Sequence, residues 1–186
     1  MGQQQTFPFL KKTAHAVLSE DRVFRYVLYR SLDGEDWDAV VTEAGVSRTT
    51  ICFVMLNPST ADEHVNDATI DKIEKFGRAW GYSRLAVVNL FAIRETDSKK
   101  LKHMARVRDI VGPDNDRYLD EVVSRAWRVV CAWGTEGQIG NRGAEVTTRL
   151  KGVANLWCFK LTLLGDPYHP LYQPDSAQLI PFAVSP

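Results

Sequence analysis

The chain has 186 residues, with 23 Lys+Arg against 23 Asp+Glu, so its formal net charge is zero. At 45% hydrophobic and 25% charged it holds enough apolar surface to offset the entropy of ordering, which excludes a disordered chain. No apolar run approaches the ~20 residues of a bilayer span, and the charge balance excludes bulk-charge coating of nucleic acid while leaving room for a local phosphate-gripping patch.

Residues 1–20 read as a flexible or partly helical lead-in, with LKKTAHAVL as the helical stretch, and residues 21–186 as a single domain. Arg25 to Arg30 is rich in aromatic and β-branched residues and predicts a strand. The turn residues Asp33-Gly34-Glu35-Asp36 follow, and Trp37 to Thr42 is expected to pair back as an antiparallel or edge strand, giving an N-terminal antiparallel hairpin. Thr50 to Leu56, TICFVML, is an apolar run too short for a helix and suited to burial on both faces. It stops at Asn57-Pro58, where proline cannot continue a ladder.

Asp67 is a plausible N-cap for a helix to about Trp80, with Ile70, Ile73, Phe76 and Trp80 at helical spacing and Gly81 as its stop. Leu85 to Phe91 is a second buried strand, and residues 97–109 are polar and basic. A helix from about Asp114 to Trp127 leads to a third buried strand, Arg128 to Trp133. A turn of small residues, Gly134 to Gly140, opens a helix around Arg142 to Lys151, and Asn155 to Leu161 is a fourth strand. Strands alternating with helices at this spacing imply βαβ units: an α/β fold with a mainly parallel central sheet in a three-layer α/β/α sandwich. Ligands then bind beyond the carboxyl ends of the strands.

Those ends carry candidate chemistry. Asn57-Pro58-Ser59-Thr60-Ala61-Asp62-Glu63 is the densest polar cluster after a buried strand. It offers a fixed amide and a carboxylate able to position water, or else a turn with Asp62 capping a local helix. Asn89, inside LAVVNLFA, must find partners, and its amide can pair at once with a donor and an acceptor, as a nucleobase edge requires. His169, between Tyr168 and Pro170, can donate to a ligand oxygen or steady developing negative charge. Phe91, Trp133 and Tyr168, with Tyr82 and Tyr172, can stack on a base or simply fill the core. Lys99, Lys100, Lys102 and Arg106 lie in a segment without acids and can grip phosphate or form a solvated helix face.

Cys52, Cys131 and Cys158 are widely spaced and odd in number, so neither a disulfide framework nor a zinc site is expected; no metal or cofactor is expected either. The polar first residues lack the apolar stretch of a secretory leader, and the expected setting is reduced and cytoplasmic, without a membrane partner. Without GxGxxG, a Walker A loop or GxSxG, dinucleotide binding, P-loop phosphoryl transfer and the α/β-hydrolase triad have no support.

The runs CFVMLNPSTADE, DATIDKIEKFGRAWGYSRLAVVNLFAIRETD, VGPDND, RVVCAWGTEG and YHPLY closely resemble the domain-of-unknown-function family 1643, over roughly residues 25–182. The order of motifs is also distantly similar to the uracil-DNA glycosylase superfamily. That resemblance implies that Asn57 in MLNPS positions the attacking water, Asn89 in VVNLF reads the base, and His169 in YHPLY steadies the departing base. Two departures stand out. Met55-Leu56 replaces the usual glycine before the first motif, and the last loop reads HPLYQ without the serine that follows His-Pro.

The expectation is a nucleobase-excising hydrolase acting on DNA or on a nucleoside or nucleotide. Asn57, Asp62 and His169 would be catalytic, and Pro58, Ser59, Asn89, Phe91, Trp133 and Tyr168 would hold the substrate. The alternatives are a non-catalytic nucleotide- or nucleic-acid-binding module of the same fold and a protein-interaction domain without the site.

Overall fold

A computed structural model describes residues 13–35, 47–59 and 65–182. The described chain forms a seven-stranded mixed sheet: β1 (Ala14–Leu18), β2 (Arg25–Ser31), β3 (Ser47–Met55), β4 (Arg84–Asn89), β5 (Ala126–Cys131), β6 (Leu156–Cys158) and β7 (Ile180–Pro181). The spatial order is β1-β2-β4-β3-β5-β6-β7. The four central strands β4, β3, β5 and β6 run parallel; β2 pairs antiparallel with β4, β1 antiparallel with β2, and β7 antiparallel with β6.

Four helices accompany the described strands: α1 (Ala68–Ala79), the short α2 (Leu101–Met104), α3 (Asn115–Arg125) and α4 (Arg142–Leu150). The limits of α1 follow from its sequence. Asp67 Oδ1 accepts from the backbone N–H of Thr69 and of Ile70, both at 2.9 Å, and satisfies two orphan donors of the first turn. At the other end Gly81 takes φ +79°, a left-handed turn that glycine adopts without strain.

The pleat of β3 divides the core. Ile51, Phe53 and Met55 join α1 residues Ile70, Ile73 and Phe76 in one apolar cluster. Cys52, Val54 and Leu56 join Leu119 and Val122 of α3 and Val146 and Leu150 of α4 in the other. A strand buried on both sides in this way needs an unbroken apolar run, which is what TICFVML supplies.

The N-terminal region differs from the expectation in one respect. The LKKTAHAVL stretch was expected to be helical, whereas Ala14–Leu18 is a strand in antiparallel register with β2, Ala14 opposite Arg30 and Ala16 opposite Leu28. A five-residue stretch beside an open strand edge gains a ladder of hydrogen bonds there, and the stacked rings of His15 and Tyr29 (6.1 Å) add a cross-strand contact that no local pattern encodes. The antiparallel hairpin at this end is therefore β1–β2. The expected partner strand, Trp37 to Thr42, lies outside the described residues, as do residues 1–12 of the lead-in. None of the described helices is long and apolar enough to cross a membrane.

Candidate functional site

From β3 the chain moves outward to β4 and then returns across β3 to β5, a reversal that opens a crevice at the carboxyl ends of the parallel strands. A cavity of about 390 Å³ lies there. Its walls come from the ends of β3 (Met55, Leu56, Asn57), β4 (Val87, Asn89) and β5 (Trp133 with Gly134), from the first turn of α1, and from the loops bearing Glu95 and His169. Gly134 turns the chain at φ +73°, and its N–H donates to the Pro167 carbonyl at 2.8 Å, which joins the post-β5 loop to the segment leading into His169.

Asn89 is the most informative residue of the cavity. It sits beside Met55 in the parallel ladder and is only 1% exposed. Neither Nδ2 nor Oδ1 has a hydrogen-bond partner among the described residues. An amide left in this state costs on the order of 1–3 kcal/mol per group, and it keeps donor and acceptor capacity that no described residue uses. Its backbone is held from behind. Asn115 Nδ2 donates to the carbonyls of Asn89 (3.0 Å) and Leu90 (3.1 Å), and Arg142 Nε donates to the Leu90 carbonyl (3.1 Å). Arg142, 4% exposed, is itself paired with Asp116 and with Glu145 at 2.9 Å.

Asn57 lines the same cavity with half of its amide already engaged. Its Nδ2 donates to the carbonyls of Pro58 (3.0 Å) and Glu95 (2.6 Å), which leaves Oδ1 as the group it can offer a ligand or water. Pro58 is buried and outside the lining; its carbonyl accepts from Asn57 and from the Glu95 N–H at 2.9 Å. Ser59 lines the cavity and donates through Oγ to Asp67 Oδ2. Asp67 is thus both the cap of α1 and a cavity carboxylate, a second role that the helix pattern alone did not reveal. Asp62 lies outside the described residues.

His169 closes another side. Its Nδ1 accepts from the Leu171 N–H at 3.4 Å, so in the neutral ring the proton sits on Nε2. Burial lowers its pKa from the ordinary histidine value, opposed in part by the negative charge of Asp67. The aromatic residues divide. Tyr172, 76% exposed, stands at the mouth 5.9 Å from the His169 ring. Trp133 lines the cavity, yet its indole packs against Gly137, Gly143 and the edge of Phe182 (5.8 Å). Phe91 is a core residue away from the lining, and Tyr168 instead meets the ammonium of Lys160 at 4.3 Å.

The basic segment stays outside. Ser98 is the member that reaches the cavity wall; Lys99, Lys100, Lys102 and Arg106 are exposed beyond the lining, and Lys100 lies 3.6 Å from Glu95. Arg25, 2% exposed at the start of β2, lines the cavity and escaped the sequence reading; its one signal was a charged residue opening an apolar strand. Among the described residues no group of three or more His, Cys, Asp or Glu side chains could hold a metal ion.

No curated protein and no solved structure matches the chain. The model of a family of unknown function, DUF1643, matches residues 25–171. That span takes in all four parallel strands and every described cavity residue named above except Tyr172, and on it the chain belongs to the DUF1643 family.

Proposed function

We propose that the chain hydrolyses the N-glycosidic bond of a nucleobase-bearing substrate, on a three-layer frame of the uracil-DNA glycosylase type. The observation that carries this reading is the Asn89 amide, buried, unpartnered and set in one cavity with Asn57 and His169. In the proposed reaction Asn89 pairs with the base edge, its Nδ2 toward an acceptor and its Oδ1 toward a donor. The Nε2–H of His169 donates to the base, and Asn57 Oδ1 orients water at C1′. The C1′–N bond breaks with its electron pair on the base. Water delivers hydroxide to C1′, and its remaining proton ends on the base. Any phosphate of the substrate lies toward Lys99, Lys102 and Arg106, outside the cavity.

The test is base release from uracil-containing, mismatched and modified-base DNA and from nucleosides and nucleotides, for the wild type and for Asn57→Ala, Asn89→Ala and His169→Ala. Loss of release in each variant is expected. Release unchanged in all three overturns the site assignment. One observation favours a second reading, a binding module without turnover: Asn57 Nδ2 is already occupied with backbone carbonyls. Tight binding without release would establish that reading.

A further inference from the structure

The hydrogen-bonding character of the cavity separates one class of nucleobase compound from the others. At the foot of α1 the Ser59 hydroxyl gives its only proton to Asp67 Oδ2, so toward the cavity Ser59 Oγ can only accept. Asp67 takes two backbone donors on Oδ1 and the serine on Oδ2. A carboxylate offers about four lone-pair sites, so one acceptor position is left, on the oxygen that Ser59 already touches. The two residues therefore present a pair of adjacent acceptors on a rigid base, a helix cap. Among the described residues no lysine or arginine pairs with Asp67.

A pair of adjacent acceptors matches a pair of adjacent donors, and the vicinal hydroxyls of ribose are such a pair; carboxylates bind ribose hydroxyls in this way elsewhere. A phosphate does not fit here. It has acceptors where the Ser59–Asp67 pair already has acceptors, and the three carboxylates of the lining, Asp67, Glu95 and Glu136, outnumber its one guanidinium, Arg25, so the balance disfavours a further anion. The cations expected to hold phosphate lie beyond the wall. The unpartnered Asn89 amide in the same cavity independently calls for a ligand.

Resting on the nucleobase reading above, we infer that the cavity takes a ribonucleoside, its base edge on Asn89 and its 2′,3′-diol on the Ser59–Asp67 pair, with no phosphate inside. The substrate class is thereby narrowed to a small ribonucleoside rather than DNA or a 5′-nucleotide.

Isothermal titration of the full chain with the four common ribonucleosides, their 2′-deoxy counterparts and their 5′-monophosphates tests this. The expected result is binding of at least one ribonucleoside, with its 2′-deoxy analogue weaker by roughly ten- to hundredfold, the range of one hydrogen bond to a charged group. Its 5′-monophosphate should bind no more tightly. Asp67→Asn keeps an N-cap of equal strength, so its melting temperature should stay within about 2 °C of wild type while the ribo-over-deoxy preference falls to about threefold or less. Equal binding of ribo- and deoxynucleosides, tighter binding of the monophosphate, or no ribonucleoside binding at all overturns the inference. Base release from DNA in that last case would still leave a hydrolase. The expected binding pattern without any base release supports the ribonucleoside site and overturns the hydrolase.

Discussion

Asn115 grips Asn89 by the main chain, its single amide nitrogen lying 3.0 Å from the Asn89 carbonyl and 3.1 Å from the carbonyl of Leu90. Beyond Asn89, the chain still donates inward, Leu90 N–H to Met55 and Phe91 N–H to Leu56, while the Ala92 carbonyl accepts from the Arg25 N–H of β2 at 2.9 Å. Asn115→Leu leaves the Asn89 carbonyl without this donor, while Leu90 keeps Arg142. Urea unfolding should show a loss of about 1–3 kcal/mol. Asn115→Asp should lose more, because a carboxylate would then face two carbonyl oxygens.

Gly137 lies against the Trp133 ring so closely that an added Cβ would sit 2.2 Å from Cδ1 of the indole. Gly137→Ala must displace the ring or the backbone, and overpacking of this kind costs about 1–3 kcal/mol. Because Trp133 also lines the cavity, near-UV circular dichroism of the tryptophans should change together with ligand affinity. Gly152→Ala, where nothing lies within 4 Å of the new Cβ, should leave both unaltered.

His169 is less readily protonated in the folded chain than in the unfolded one, chiefly through burial. A lowered pKa means that the unfolded state binds the extra proton first as pH drops. The stability contribution is full above the unfolded value near 6.5 and is lost as pH falls through the folded value. His169→Gln should flatten that part of the stability-against-pH curve. In proton NMR titration, Asp67→Asn should move the His169 midpoint lower still, since Asp67 is the charge that raises it.

Asp175 is held by two lysines of α1, Lys72 at 2.5 Å and Lys75 on the other carboxylate oxygen, which ties the segment after the His169 turn to the helix bordering the cavity. These bonds depress its pKa from 3.8 to about 2. The associated stabilisation is complete above 3.8 and disappears as pH falls through about 2. Asp175→Asn should remove that acid-limb contribution, and because the pair is exposed, the difference from wild type should shrink in molar salt.

The parallel strands and α1 were readable because their signals are local. An unbroken apolar run, a 3.6-residue periodicity, an Asp cap and a Gly stop each depend on neighbours in the chain. The strand ends followed from the fold class, which is why Asn57, Asn89 and His169 could be marked before any contact was known. What escaped depends on partners far away in sequence. β1 owes its conformation to the open edge of β2. Phe91, two residues after Asn89, turns to the core, and no pattern distinguishes the two orientations at a strand's end. Arg25 enters the cavity because β2 runs antiparallel to β4, and Asp67 because α1 begins at the same rim.

The reversal in strand order has an evolutionary consequence. Asn89 stands on a central strand and is braced by α3 and α4, whereas Ser59, Glu95 and His169 ride on separate connections whose lengths do not enter the ladder. Relatives that exchange one of these connections can acquire a new ligand preference while keeping the amide beneath it unchanged. Ligand preference across the family should therefore track the lengths and residues of those connections, even between members that share the same strands.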